Sequence, residues 1–189
     1  MAATASYTLS EIARRLDVPQ HKLIHLCEKG VVAPEIHDAA GRGSSRVFSG
    51  NNFLELAVAL RLRDMLLPVS VVGAIVHVLR RFGQELQKGP VGVSLAESLR
   101  GQGAPEMRVI LSDGKEIFFS LARAGKKAAL FGGIPVDAVV SRGSAWNGAV
   151  EQRGTRVTGG NHPFGGPEGS EFARMEVSVT SVARALPLD

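Results

Sequence analysis

The sequence predicts an α+β protein in two parts, a helical N-terminal part and a small strand-rich C-terminal part. Three observations carry this. Residues 7–82 are rich in helix formers and in Leu, Ile and Val at helical spacing. Residues 83–105, "GQELQKGPVGVSLAESLRGQGAP", turn polar and glycine-rich and read as a linker. Residues 106–189 hold short apolar runs around turn signals. The domains are therefore 1–82, a linker at 83–105, and 106–189.

In the first part, "TLSEIARRL" sets Leu9, Ile12, Ala13 and Leu16 on one helix face. Thr8 followed by Glu11 forms a capping box that starts the helix, and "DVP" ends it. "QHKLIHLCEK" is a second short helix with Leu23, Ile24 and Leu26 as its apolar side and Gly30 as its stop. Two short helices across a tight turn make a helix-turn-helix. "VVAPEIHDAAGRGSSRVFS" reads as a β-hairpin, with arms at Val31–Ile36 and Arg46–Phe48 around a glycine-rich tip. "NNFLELAVALRLRDML" is a third helix, capped by Ser49 or Asn51, with Phe53, Leu56, Ala57, Leu60 and Met65 inward. Pro68 ends it or opens the next helix. That helix, "VSVVGAIVHVLRRF", is apolar nearly all round and belongs in a core or at a subunit contact. Within the linker only "SLAESLR" has a helical pattern.

In the second part, "MRVILSDGKEIFFSL" is a hairpin around an Asp113-Gly114 turn. "AGKKAALFGG" and "DAVVS" supply further short elements. Residues 143–170 contain eight glycines and little periodicity, and read as a long loop with Trp146 and Phe164 as docking points. "ARMEVSVTSVARALPLD" begins as a strand with Met175, Val177 and Val179 on one face and ends in a helical turn.

Composition excludes some classes. One cysteine forbids an intramolecular disulfide and suits a reducing compartment. The N-terminus lacks the pattern of a secretory signal, and no apolar run reaches the ~18 residues of a membrane span. A cytoplasmic, nucleoid-associated protein with no membrane contact is expected. The net charge is +4, and residues 1–82 carry ten Lys/Arg against seven Asp/Glu, a mild basic excess that fits a polyanion partner. The second part has no phosphate-binding glycine motif followed by a helix, no serine elbow and no catalytic cluster of acids and histidines. No enzyme activity and no cofactor are expected.

The second helix of a helix-turn-helix enters the major groove with its N-terminal half toward the bases. Its polar residues here are Gln20, His21, Lys22, His25 and Glu28. Gln20 suits adenine, Lys22 suits guanine acceptors or a phosphate, and the two histidines donate to phosphates or to N7. Arg42 at the hairpin tip lies between glycines that permit close backbone approach, and Arg46 lies on the return arm. His21 and His25 also have the spacing of a zinc-binding helical pair. Cys27, however, lies about 200° from His25 round the helix, and His37 is the only further ligand nearby in sequence. No metal site is expected.

The order helix, turn, helix, hairpin, helix, helix resembles the winged-helix DNA-binding domain of the MerR family of transcription regulators. "YTLSEIARRLDV", "EKGVV", "GRGSSRVFS" and "FLELAVALRLRDM…VSVVGAI" carry the resemblance, over about residues 7–82. It implies a winged helix-turn-helix that binds double-stranded DNA and regulates transcription. It also implies phosphate contacts from the wing arginines and from Arg63. The sequence departs from the family at Ile24-His25-Leu26, where an Arg-Tyr-Tyr-like run is usual. It departs again at Leu66, where glycine is common, and at 83–105, where a long dimerising helix is usual. Dimerisation is therefore expected through the C-terminal domain, with the strand "EVSVTSV" as a pairing edge. The alternatives are a protein–protein adaptor and an excisionase-like architectural factor built on the same winged helix.

Overall fold

The computed structural model describes residues 5–36, 46–88, 93–112, 116–125, 129–135 and 174–188. Among them, six helices and two antiparallel sheets make up an α+β fold. They divide into two compact units, Met1–Gly101 with Ser181–Asp189, and Gln102–Thr180. No helix among the described residues is long and apolar enough to cross a membrane.

The first unit opens with β1 (Ser6–Thr8), which runs directly into α1 (Leu9–Arg15). The capping box forms as expected: Thr8 N donates to Glu11 Oε2 at 2.7 Å, and Glu11 N donates to Thr8 Oγ1 at 3.3 Å. α2 (Gln20–Glu28) follows, then β2 (Val47–Ser49), α3 (Gly50–Asp64), α4 (Val69–Lys88) and α5 (Leu95–Arg100). Ser49, not Asn51, caps α3, with Asn52 completing a second box. Tyr7 of β1 packs edge-on against Phe53 of α3, ring centroids 5.2 Å apart, beside the buried Ile12, Leu23, Leu26 and Phe48.

Three helices stop in the same way. At the ends of α1, α2 and α3 the third residue from the helix end accepts from the second residue beyond the cap. These bonds are Val18 N to Ala13 O, 3.0 Å, Val31 N to Leu26 O, 2.9 Å, and Leu67 N to Leu62 O, 3.3 Å. Each turn requires a left-handed residue, supplied by Asp17 (φ 52°), Gly30 (φ 69°) and Leu66 (φ 63°). Only Gly30 takes that conformation without steric cost. Asp17 is of a type that tolerates it, and Leu66 is strained as well as 88% exposed.

The two arms expected to make a hairpin, Val31–Ile36 and Arg46–Phe48, do not pair with each other among the described residues. Residues 31–36 contain no strand, and Val31 and Val32 are buried as the apolar plug behind the end of α2. The expected return arm pairs instead with β1, Tyr7 opposite Phe48. The glycine-rich tip, with His37 and Arg42, lies outside the described residues. Residues 83–88, expected in the linker, are the last turns of α4. "SLAESLR" is helical as α5, which packs on α3 and α4 through Leu95, Ala96 and Leu99. Ala96 N donates to Asn51 Oδ1 at 3.1 Å. Within α3, Phe53, Leu56 and Ala57 are buried, while Leu60 and Met65 are half-buried. Over 69–82 α4 lies in the core, with Val71, Val72, Ile75, Val76, Val78 and Leu79 buried and only Ser70 exposed, while Gln84, Glu85 and Lys88 on its last turns are exposed.

A polar network is buried among these elements. Asn52 Oδ1 accepts from Glu35 N at 2.8 Å and from Ser49 N at 3.3 Å. Its Nδ2 donates to Ala33 O at 3.2 Å and to Glu55 Oε2 at 3.1 Å. Ser49 Oγ donates to Glu35. Glu55 on α3 pairs bidentately with Arg80 on α4, Nε to Oε1 at 3.0 Å and Nη2 to Oε2 at 2.7 Å. Burial pushes the Glu55 carboxyl above the ordinary carboxylate range, against the pull of Arg80 and Asn52. Arg80 is held above its ordinary value by the same carboxylate although burial opposes its charge, so at both partners desolvation works against a well-formed bidentate contact.

The end of the chain also belongs to this unit. α6 (Val179–Ala185) begins in the second unit, and residues from Ser181 onward pack with the first. Ala183 and Leu186 are buried there. The Arg15 guanidinium lies 5.1 Å over the Tyr7 ring and donates to the Pro187 carbonyl, and Arg100 Nη2 donates to Leu188 O at 3.5 Å.

The second unit is a four-stranded sheet in the order β5-β4-β3-β6, from β3 (Glu106–Ser112), β4 (Glu116–Ala122), β5 (Ala129–Pro135) and β6 (Arg174–Ser178). β3 and β4 pair as the expected hairpin arms, Val109 opposite Phe119, with the Asp113-Gly114 turn itself outside the described residues. Of the expected pairing strand "EVSVTSV", only Glu176–Ser178 is strand, and Val179 onward is helix. Met107, Val109, Leu111, Ile117 and Phe119 are buried on one face. On the other, Ile110 and Phe118 form a small core cluster beside a charged ladder. In that ladder Arg108 meets Glu176 at 2.8 Å and Glu106 at 3.2 Å, and Arg174 meets Glu176 at 2.6 Å. The buried Thr180 Oγ1 accepts from Met107 N at 2.7 Å and donates to Pro105 O at 2.9 Å. Residues 136–173, including the glycine-rich 143–170 stretch with Trp146 and Phe164, lie outside the described residues.

Two outcomes are expected. Glu55→Ala or Arg80→Ala alone costs about 3–5 kcal/mol in urea unfolding, whereas Glu55→Leu with Arg80→Leu costs less than either single change. Simple additivity of the two would contradict a coupled buried pair. Leu66→Gly raises stability by about 0.5–1 kcal/mol, because relief of the left-handed strain exceeds the added freedom of the unfolded chain.

Candidate nucleic-acid interface

α2 is held at both ends by backbone rather than by its own polar side chains. The Asp17 turn fixes its entry and the Gly30 turn its exit. Leu23 and Leu26 anchor it in the core. Ile24 and Cys27 are half-buried beside them, and the polar side chains of the helix are left exposed.

Gln20, His21, Lys22 and His25 are all exposed. By the helical period, His21, Lys22 and His25 share an arc of about 100° centred near His25, while Gln20 stands about 140° from His25, beside Ile24. Gln20 is exposed because it opens the helix. Lys29 is exposed on the same arc, about 40° from His25, and closes the stripe at the C-terminal end. The sequence reading missed it. Its spacing of seven from Lys22 and four from His25 is the signal that marks it. Glu28 is the only acid on the helix, so the exposed face is basic or neutral elsewhere.

α1, α3 and α5 each begin with a capping box, whereas α2 begins at Pro19 with no side-chain cap. Lys22 N donates to Pro19 O at 3.0 Å, so the first-turn N–H groups that no cap takes up are those of Gln20 and His21. The arginines beside it separate into two kinds. Arg14 is exposed, while Arg15, one residue on, is half-buried against Tyr7 and Pro187.

The other expected contacts stand on different elements. Arg46 is half-buried just ahead of β2, and Arg42 lies outside the described residues. Arg63 is exposed near the end of α3, and its guanidinium donates to the Leu67 carbonyl, closing the strained turn at Leu66. Part of its donor capacity is thus used within the fold. Cys27 is half-buried, and among the described residues no three of His, Cys, Asp and Glu gather so as to hold a metal ion.

Lys22→Ala and His25→Ala are expected to change the unfolding free energy by less than about 0.5 kcal/mol, since neither side chain supports the fold. Arg63→Ala is expected to cost about 0.5–1 kcal/mol through the lost bond to Leu67. Urea titration of the three variants distinguishes these roles. No family model matches the chain, and a search of curated proteins finds no match.

Proposed function

We propose that the chain is a sequence-specific double-stranded DNA-binding regulator of transcription, with α1 and α2 acting as a helix-turn-helix. The observation that carries this reading is the exposed stripe His21, Lys22, His25 and Lys29 on a helix whose opposite side is locked into the core. α2 enters the major groove, Lys22 and the histidines donate to base acceptors or phosphates, and Gln20 reads from the helix start. The uncapped first turn of α2 receives a backbone phosphate. Arg42 and Arg46, in the segment that precedes β2, add phosphate contacts. A second copy pairs through the sheet unit, where β6 ends the order of described strands.

One observation favours the adaptor reading instead. Arg63 is drawn onto Leu67 and Arg46 is half-buried, which reduces the cationic surface that DNA would meet.

Fluorescence anisotropy with labelled genomic fragments at several salt concentrations tests the proposal. The logarithm of affinity is expected to fall linearly with the logarithm of salt, with a slope of about −0.9 per phosphate neutralised. Lys22→Ala and Arg42→Ala each weaken binding, and the loss of one phosphate contact reduces the slope by about 1. Salt-independent affinity, or unchanged affinity in both variants, overturns the placement and leaves the adaptor reading.

A further inference from the structure

The first unit contains a groove of about 420 Å³ walled by the α1–α2 turn, the C-terminal half of α3 and the returning segment after Thr180. That volume lies within the range of small-molecule sites, about 300–1,000 Å³. We propose that this groove binds a small amphipathic monoanion, with the size and chemistry of a medium-chain carboxylic acid. The proposal does not depend on whether α2 reads DNA.

The shape comes from small residues. Ala57 on α3 and Ala185 on α6 are the short side chains that hold the walls open. Around them Leu16, Val18, Leu60 and Val182 supply an apolar lining, and all four are only half-buried, so their surface is available to a ligand. A ligand with an apolar body removes that surface from water without displacing any core residue.

The charge comes from the rim. Two arginines, Arg15 and Arg61, face one aspartate, Asp64, which leaves the lining one charge positive. Arg15 is held against Tyr7 and the Pro187 carbonyl. Arg61 is exposed, and its side chain has no hydrogen-bond or ion-pair partner among the described residues. A carboxylate seated on the groove meets Arg61 as a bidentate partner, with its chain over Leu60 and Val182. The position is consequential because Leu16 and Val18 flank Asp17, the left-handed residue that aims α2.

The test uses the full chain with methyl labelling and sodium decanoate below its micelle concentration. Saturable shifts are expected at the methyls of Leu16, Val18, Leu60, Val182 and Leu186. Arg61→Gln is expected to weaken binding about tenfold, and decylamine to bind wild type at least about tenfold more weakly than decanoate. Ala185→Trp, a change at an exposed position, fills the groove and abolishes the shifts. Absent shifts, shifts confined to other residues, equal binding of acid and amine, or equal binding by wild type and Arg61→Gln each overturn the proposal. Shifts that follow protein concentration without decanoate also overturn it, since a second copy would then occupy the groove. If Ala185→Trp fails to fold, the Arg61→Gln and decylamine comparisons still decide.

Discussion

The first unit depends on one buried amide. Asn52 reaches the chain after α2 through Ala33 and Glu35, the end of β2 through Ser49, and α4 through Glu55 and Arg80. The same side chain therefore holds both ends of the stretch that leaves α2 and returns at β2. All four of its polar valences are used, which is the condition for burying an amide at modest cost. An apolar residue at this place would pack, but it would not fix which backbone atoms meet. The ion pair beyond it follows the same logic. Its desolvation opposes its attraction, while its two charge-assisted bonds fix where α3 and α4 meet.

Much of the first unit was legible in the sequence because its helix starts are written in side chains. Thr8 with Glu11 and Ser94 with Glu97 are local signals, and both boxes form. Gly30 was legible as a stop for the same reason. The stops at Asp17 and Leu66 were not, because an L-residue at positive φ leaves no mark in a sequence and is imposed by the turn around it. The hairpin was misread because Val31 and Val32 look like strand residues. Their burial instead serves the end of α2, and the true partner of β2 is only three residues long, too short to show alternation. Gly83 read as a linker signal, but it is buried in α4, where the Cβ it lacks would lie 3.5 Å from Leu95 Cβ.

The candidate interface was legible in part. Gln20, His21, Lys22 and His25 follow from the position of α2 after a turn, and exposure of all four follows from the apolar positions Leu23 and Leu26. What the sequence does not display is how neighbouring arginines divide their work. Arg14 and Arg15 are adjacent, yet only Arg15 is drawn inward, because a tyrosine from β1 and a carbonyl from the far end of the chain meet at its position. Arg63 is likewise claimed by a turn whose geometry no local pattern announces.

The contact between Arg15 and Pro187 joins residues 172 positions apart. The sheet unit is thus an insertion within the first unit rather than an appendage to it. During synthesis, which runs from the N-terminus, α1 and α3 leave the ribosome long before the segment that covers them. Their uncovered surface stays open while all of Gln102–Thr180 is made. The insert is complete before its host can be, so final closure of the first unit is a late, long-loop event in biogenesis.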